Sequence, residues 1–259
     1  MRIMTFNVRC QTENDGTQQF IYRVDFLCDT IERLHPDVIG LQEIRPAMRR
    51  MMIQRLPAYA FVGGGRAADR LGEIPCIAFR QENYLLEHLE TEILSLYPHV
   101  PGSRYGLDQS SCPRAMVSCD LMPADGGTPF RVMNIHTDHV GVRARELEIA
   151  QLLRSWHMQQ ALRPMPTFIL GDLNALPDAP EMQLLYEELH LKDLSQALPG
   201  TFHGYDKADP REKIDYIFAS DEVRVHTVRA IHEKRGDLFL SDHDPILADV
   251  EMPGASETV

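Results

Sequence analysis

The chain has 259 residues, of which 44% are hydrophobic and 25% charged, and its formal net charge is −12. This composition is typical of a soluble globular protein with a sizeable core, and it excludes extensive disorder. The acidic balance argues against tight, non-specific binding to a phosphate backbone through a basic patch, because that mode needs clustered lysine and arginine. Catalysis on nucleic acid stays open, since a bound divalent cation and a few arginines can hold a phosphodiester.

The cysteine content and the hydropathy pattern bear on the cellular compartment. Five cysteines, an odd number with no Cys-x-x-Cys pair, predict neither a thiolate zinc site nor a disulfide framework. The first residues, MRIMTFNV, lack the features of a signal peptide, and no apolar run approaches the roughly 18 residues that span a bilayer. We therefore expect a cytoplasmic protein with reduced thiols and no membrane insertion.

The first half of the chain alternates strand and helix patterns. Alternating side chains predict a strand at 2–9, and apolar residues three or four apart predict a helix at 20–34. A buried strand at 37–44 and a helix at 46–56 follow, and then a glycine-rich charged loop at 63–73. Further strands are predicted at 74–80, 84–94, 113–122 and 129–137.

The second half contains a long amphipathic helix at 143–162 and a buried strand at 167–174. The last predicted strands are 213–220, 223–231 and 245–252. So few long helices among so many strands favour two β-rich sheets flanked by helices over a plain Rossmann alternation. Because no linker-like change in composition occurs, we predict one domain over 1–252 and a flexible polar tail at 253–259.

Polar residues stand at the ends of six apolar strand patterns, and each could be a simple turn if taken alone. The segments are FN (6–7), QE (42–43), NIHTDH (134–139), GDLN (171–174), ID (214–215) and SDHD (241–244). Functional side chains gather where strands of an α/β sheet run out into loops, so together the six predict one site. Mg²⁺ prefers oxygen ligands, which Glu43 and Asn7 supply. His136 and His243 are better suited to phosphate binding, oxyanion stabilisation or proton transfer.

The ordered segments MTFNVR, GLQEI, NIHTDHVGVRARE, ILGDLNALPD, KIDYIF and LSDHDPI resemble the endonuclease/exonuclease/phosphatase superfamily, the group of DNase I and exonuclease III. The resemblance runs from residue 2 to about residue 250. It implies a four-layer α/β sandwich, with two mixed β-sheets packed face to face and flanked by helices. It also implies Mg²⁺-dependent hydrolysis of a phosphoester, with Mn²⁺ as a possible substitute.

The resemblance assigns roles to the polar strand ends, motif by motif. Glu43 matches the principal metal ligand, with Asn7 beside it and Asp242 as a further ligand. Asp172 and Asn174 match the pair that orients or activates the attacking water.

The two histidines also match family positions. His243 matches the residue that contacts the phosphate, and Asp215 matches the acid that orients it. His136 matches the second active-site histidine, for which Glu73 is the expected partner. Four other residues resemble those of one branch and stay open between substrate contact and a structural role. They are Arg114, Asp138, His139 and Arg145.

Two alternatives to an active magnesium enzyme remain. A catalytically silent relative would serve as a binding or scaffold protein, although the catalytic residue types are all present here. A metallo-β-lactamase-like zinc site is suggested by NIHTDH, in which Asn134 replaces the leading histidine. The substrate is expected to be a phosphoester, either a compact molecule or nucleic acid, and the acidic charge favours the compact molecule. Asp244 is expected to be solvated.

Overall fold

Strands and helices alternate along the chain, and the strands pair into two large sheets. The computed structural model describes residues 1–207 and 211–254. The helices of this part are α1 (Phe20–Leu34), α2 (Pro46–Arg55), α3 (Val142–Leu162), α4 (Pro180–Leu189) and a 3-10 helix at Glu13–Gln18. The strands are β1 (Arg2–Asn7), β2 (Val38–Ile44), β3 (Tyr59–Val62), β4 (Ile74–Arg80), β5 (Tyr84–Ile93), β6 (Ala115–Pro123), β7 (Phe130–His136), β8 (Thr167–Asp172), β9 (Lys192–Asp193), β10 (Asp215–Ala219), β11 (Arg224–Ala230), β12 (Lys234–Arg235), β13 (Leu238–Phe239) and β14 (Ile246–Glu251).

Each large sheet has six strands and mixes parallel with antiparallel pairing. The first sheet has the order β11-β14-β1-β2-β4-β3, and the second has the order β5-β6-β7-β8-β10-β9. In each sheet one central pair is parallel, β1 with β2 and β7 with β8, while the other pairs are antiparallel. The prediction of two mixed sheets flanked by helices is confirmed.

Side chains alternate between the two faces of each strand, so neighbouring residues pack into different layers of the core. Ile3 of β1 belongs to the core between the two sheets, whereas its neighbour Met4 belongs to the core beneath α1 and α2. On the other sheet, Phe168 of β8 faces the same inter-sheet core, and Ile169 packs with α3 and α4. Successive side chains of a strand point to opposite faces, so strands covered on both sides must be apolar throughout. The result is the four-layer α/β sandwich that the resemblance implies.

A polar contact joins the two sheets within this core. The side-chain amide of Asn134, on β7, donates to the carbonyl oxygens of Leu41 and Cys76, each at 2.9 Å. Gln42 Nε2 donates to Asn134 Oδ1 at 2.6 Å. Gly40 lies opposite, where an added Cβ would come within 2.9 Å of Asn134 Oδ1 and of two Leu170 carbons. The absence of a side chain at Gly40 therefore allows the sheets to approach closely.

The helices predicted at 20–34, 46–56 and 143–162 are all present, with ends shifted by at most one residue. The sequence interpretation missed α4, the 3-10 helix and the short strands β3, β9, β12 and β13. Pro180 starts α4, a position that proline favours. Residues 255–259 of the predicted tail lie outside the described residues. No helix within 1–207 and 211–254 has both the length and the apolar character needed to cross a membrane.

Glu148 of α3 is a buried acid that supports the loop after β7. Its carboxylate accepts hydrogen bonds from the backbone N–H of Asp138 at 2.7 Å and from Gln109 Nε2 at 3.3 Å. Burial raises the pKa of Glu148 to about 8, because the charged form loses its hydration. The carboxyl group is therefore protonated in the folded protein at neutral pH.

Replacing Gly40 by alanine should lower the free energy of unfolding by about 1–3 kcal/mol, the usual cost of overpacking a well-filled core. Denaturant unfolding of Gly40→Ala beside Gly254→Ala would measure the loss. Gly254 is the control because no atom of the described residues lies within 4 Å of an added Cβ there. Equal stability of the two variants would contradict the close inter-sheet contact.

Glu148→Gln should stabilise the protein in a pH-dependent way. The unfolded-state carboxyl ionises above its ordinary pKa near 4.5, whereas the folded one keeps its proton until about 8, so unfolding releases a proton between these values. The free energy of unfolding of Glu148→Gln, relative to that of the wild type, should rise by up to ~1.4 kcal/mol per pH unit in this window and be constant below it. Denaturant unfolding at pH 4.5, 6 and 8 measures it. A difference that does not depend on pH would contradict the raised pKa.

Candidate active site

The topology brings the polar strand ends to one edge of the sandwich. The parallel strands β1 and β2 both end there, with Asn7 opposite Gln42. In the second sheet, His136 lies opposite Asp172, and Asp215 at the start of antiparallel β10 also pairs with Asp172. The turn before β14 reaches the same edge, because β14 runs antiparallel to β1.

A pocket of about 320 Å³ opens at this edge. Its lining residues are Arg9, Cys10, Glu43, Arg66, Glu73, Cys112, Arg114, His136, His139, Asp172, Asn174, Phe202, Glu212, Ile214, Asp242 and His243. The pocket therefore combines several carboxylates with several cationic groups. We call it the catalytic pocket.

Glu43 is presented by an irregularity at the end of β2. The pairing with β4 shifts register between Leu41 and Ile44, and Glu43 has a left-handed φ of 63°. A non-glycine residue in this region is strained, and bulges of this kind often aim side chains next to active sites. The Glu43 carboxylate accepts from Cys10 N at 2.9 Å and from Asn7 Nδ2 at 3.1 Å. Burial alone would raise its pKa, but these hydrogen bonds and the charge of Arg9 lower the pKa below its ordinary value.

Asn7 links the two sheets at the floor of the catalytic pocket. Its Nδ2 donates to Glu43 and also to Asp172 Oδ2, at 2.9 Å, while its Oδ1 accepts from Arg9 N at 2.9 Å. Asn7 thus fixes two carboxylates, and its amide oxygen, which accepts one hydrogen bond from Arg9 N, keeps a second lone pair. Asn174, with a φ of 45°, donates its backbone N–H to Asp172 Oδ1 at 3.0 Å. Burial and the nearby Asp215 raise the pKa of Asp172 to about 7.

His243 and Asp215 form a buried pair. His243 Nδ1 lies 2.8 Å from Asp215 Oδ2, and the Thr201 hydroxyl donates to the same oxygen at 2.6 Å. Burial alone would lower the pKa of His243, but the negative charge of Asp215 raises it well above the ordinary value. The Phe202 ring packs against the imidazole, with centroids 4.9 Å apart. His243 Nε2 is 3.8 Å from Asp172 Oδ2.

His136 has a different partner from the one expected from the sequence. Arg114 Nη1 donates to His136 Nε2 at 3.1 Å, and Arg114 Nη2 donates to His139 Nδ1 at 2.7 Å. Arginine has only donors, so both imidazoles accept. Burial and the charge of Arg114 lower the pKa of His136 well below its ordinary value. Glu73 instead forms an ion pair with Arg66, at 2.7 Å, because the loop at 63–73 brings that arginine beside it.

Two of the four residues left open in the sequence lie behind the catalytic pocket. The Asp138 carboxylate accepts from the backbone N–H groups of Ser110, Val140 and Gly141, and so shapes the loop before α3. Arg145 pairs with buried Glu181 and joins α3 to α4. Among the described residues, Asp138 and Arg145 make these contacts within the fold and do not line the catalytic pocket, whereas Arg114 and His139 line it.

The zinc-hydrolase alternative does not agree with this geometry. Asn134 stands where that motif would begin, but it is fully buried in the polar contact between the sheets. Asp138 is fully buried and is held by its own loop. Neither side chain lines the catalytic pocket.

The donor chemistry of the catalytic pocket fits a hard divalent cation. Glu43 and Asp242 supply carboxylate oxygens, and Asp172 lies beside them. Cys10 also lies near Glu43, but its thiol is a soft ligand of a type that Mg²⁺ does not favour. The imidazole nitrogen of His136 that faces the catalytic pocket accepts from Arg114. The carboxylate oxygens of Glu43, Asp242 and Asp172 are the type of ligand that Mg²⁺ prefers.

The expectation that Asp244 is solvated was wrong. Its side chain is only 5% exposed, and His232 Nδ1 lies 3.0 Å and His203 Nε2 3.4 Å from its Oδ1. Arg211 pairs with the other carboxylate oxygen. Asp244 N also donates to Thr201 O at 2.9 Å. Asp244 therefore holds the segment that carries Thr201 and Phe202 beside His243.

Several residues of the catalytic pocket were not identified from the sequence. Arg9 lies 3.6 Å from Asp242 through Nε and also pairs with Asp15. Arg66 stands in the glycine-rich loop, and Phe202 follows Thr201 in a segment without a strand pattern. Arg9 could have been found by its place two residues beyond the polar end of β1. Arg66 and Phe202 have no surrounding sequence pattern that would indicate a place in the pocket.

Comparison with known proteins supports the assignment of the fold. The family model described as Endonuclease/Exonuclease/phosphatase family matches residues 4–243. Among curated proteins, no match to the chain was found. An endonuclease/exonuclease/phosphatase structure from Bacteroides vulgatus is 28% identical, with a TM-score of 0.89, and the match covers 97% of this chain and 98% of that one.

Two more distant structures show the same fold. A Bacteroides thetaiotaomicron mannosyl-6-phosphatase is 23% identical, with a TM-score of 0.89 and coverage of 97% of this chain and 100% of that one. D. rerio TDP2, complexed with single strand DNA product, is 18% identical, with a TM-score of 0.73 and coverage of 97% and 99%. The match of the family model over residues 4–243 shows that the chain belongs to the endonuclease/exonuclease/phosphatase family, whose members are phosphoester hydrolases.

Proposed function

We propose that the protein is a Mg²⁺-dependent phosphoester hydrolase that directs in-line attack of water on phosphorus, with Mn²⁺ as a possible substitute. The observation that carries this proposal is the convergence of Glu43, Asp172 and the His243–Asp215 pair in one pocket built across two sheets. Family membership supports the reaction class.

Glu43 and Asp242 would hold the cation, and Asn7 positions Glu43 through its amide nitrogen. When bound, the cation supplies Lewis-acid polarisation of a phosphoryl oxygen and neutralises charge in the transition state. The lowered pKa of Glu43 suits a ligand that is ionised at neutral pH. The strained backbone at Glu43 helps to aim the carboxylate into the catalytic pocket.

Asp172 is the group proposed to orient the attacking water and accept its proton. Its pKa of about 7 lies near a neutral working pH, where a general base is most effective. Asn7 and the backbone of Asn174 hold its two oxygens in place. Asn174 Nδ2 itself donates to Thr137 O, which ties the loop after β8 to the end of β7.

His243 and Arg114 supply positive charge to the phosphoryl group. Asp215 holds His243 Nδ1, which leaves the Nε2–H of the imidazolium directed away from Asp215 for the phosphoryl or leaving-group oxygen. Arg114 remains charged while His136 and His139 accept its N–H groups. His136 therefore acts in this proposal by positioning Arg114.

The substrate is proposed to be a compact phosphoester. The similar structures include a phosphatase and a DNA-processing protein, so the fold alone supports either kind of substrate. The net charge of −12 opposes accumulation of a long polyanion on the surface. The five free cysteines are consistent with the reducing cytoplasm expected from the sequence.

Glu43→Gln should raise the Mg²⁺ concentration for half-maximal activity by about 10- to 100-fold, because a charged ligand is replaced by a neutral one of the same shape. Hydrolysis of p-nitrophenyl phosphate and of its bis-aryl diester, titrated with Mg²⁺ and Mn²⁺, measures this. Metal-induced thermal stabilisation gives a readout without turnover. Glu188→Gln, at an exposed position of α4, is the matched control. An unchanged metal requirement would exclude Glu43 as the ligand.

His243→Asn should lower kcat by about 10²- to 10⁴-fold, the usual contribution of a positioned acid or base, without unfolding the protein. Rates on both aryl phosphates, with circular dichroism and thermal unfolding, measure activity and fold separately. His226→Asn, on the exposed strand β11, should behave as the wild type. Wild-type turnover by folded His243→Asn would remove this residue from the mechanism.

A further inference from the structure

A second pocket opens beside the catalytic pocket. It has a volume of about 370 Å³ and is formed by Arg45 and by residues of the segments 66–73 and 111–113. It shares Arg66, Glu73 and Cys112 with the catalytic pocket. A ligand whose phosphate lies in the catalytic pocket can therefore extend into this one, which we call the side pocket.

The wall of the side pocket is held by backbone contacts. Arg66 N donates to Glu73 O at 3.1 Å, which closes the loop on itself, and Gly102 N donates to Arg66 O at 2.9 Å. A Cβ added to Gly65 would lie 2.1 Å from the Arg70 carbonyl oxygen, so glycine permits the tight turn. The side pocket is therefore formed by the protein itself before a ligand binds.

The charges of the side pocket are balanced. Arg45 and Arg66 face Asp69 and Glu73 in the lining, two cations with two anions. Within the described residues, the ion pair with Glu73 is the only polar contact of the Arg66 guanidinium, so other N–H donors stay free for a ligand. A balanced set offers little net attraction to a second phosphate. It offers donors and acceptors side by side, which suit adjacent hydroxyl groups.

The remaining lining residues favour the same kind of ligand. Ser111 adds a hydroxyl group, and Leu71 and Pro113 add small apolar surfaces. In the described part of the chain, no aromatic ring lines the side pocket to offer a platform on which a nucleic-acid base would stack. Sugars and polyols combine hydroxyl groups with short C–H faces.

We propose that the side pocket binds the neutral, polyhydroxylated alcohol portion of the substrate, so that the enzyme prefers phosphoesters of sugars or polyols. This inference rests on the proposed phosphoester hydrolysis in the catalytic pocket. Arg45 and Asp69 determine specificity, because they line the side pocket and not the catalytic pocket.

The test compares the wild type with the double variant Arg45→Met, Asp69→Asn on glucose 6-phosphate, mannose 6-phosphate, phenyl phosphate and a thymidine dinucleotide. For at least one hexose phosphate, the variant should lose about tenfold or more in kcat/KM through a higher KM, the loss expected for one hydrogen bond to a charged group. The rate on phenyl phosphate should change less than about twofold, which also shows that the variant is folded. The matched control is Arg50→Met, Asp237→Asn, at exposed positions outside both pockets.

The outcomes separate the two proposals. If the wild type hydrolyses no phosphoester with Mg²⁺ or Mn²⁺, the proposed function fails and this inference fails with it. If phenyl phosphate is hydrolysed but neither hexose phosphate is preferred over it, only the side-pocket proposal fails. Equal losses on all substrates, no loss on the hexose phosphates, or a selective loss on the dinucleotide would likewise overturn it alone.

Discussion

The geometry of the molecule depends on how the two sheets meet, and the buried amide of Asn134 fixes that contact. It donates to two carbonyl groups of the first sheet and accepts from Gln42, so any slip between the sheets would leave a buried polar group unpaired. An unpaired buried group costs about 1–3 kcal/mol. Gln42 directly precedes Glu43, and His136 lies two residues beyond Asn134 on the same face of β7. The contact that aligns the sheets therefore also sets the separation of the side chains that line the catalytic pocket.

The alternation of side chains along the strands determines both the packing of the core and the positions of the site residues. Along β8 the inward residues Phe168 and Leu170 are apolar, and the next inward residue, at the edge of the sandwich, is Asp172. On β10 the inward residue changes in the same way from Ile217 to Asp215. Carboxylates held this close are unfavourable for folding. Asp172 has a raised pKa, and one oxygen of Asp215 has no partner within the described residues. The packing of the surrounding apolar layers offsets this cost in folding free energy and holds the edge of the sandwich in place.

Sequence patterns predicted the elements and the polar strand ends because both depend on local spacing. The position of Asp172 at a strand end, for example, follows from the apolar run before it. It was harder to predict from the sequence which side chains pair with each other. Glu73 pairs with Arg66 rather than with His136, because a backbone hydrogen bond closes the loop that carries Arg66 and Glu73. The spacing of residues in the sequence does not indicate this contact. Asp244 is buried because segments distant in the sequence, which carry His203 and His232, fold over it.

An acidic protein can still capture a phosphate, because its positive charge is local and fixed. His243 is held by Asp215, and Arg114 is held by two imidazoles, so neither needs to reorganise when an anion enters. The electric field that the net charge of −12 produces is screened by salt beyond about 8–10 Å. It therefore acts mainly on polyanions that extend along the surface. A single phosphate inside the pocket is instead governed by these close, buried donors. The proposed preference for compact substrates rests on this difference between the short-range and long-range electrostatics of one molecule.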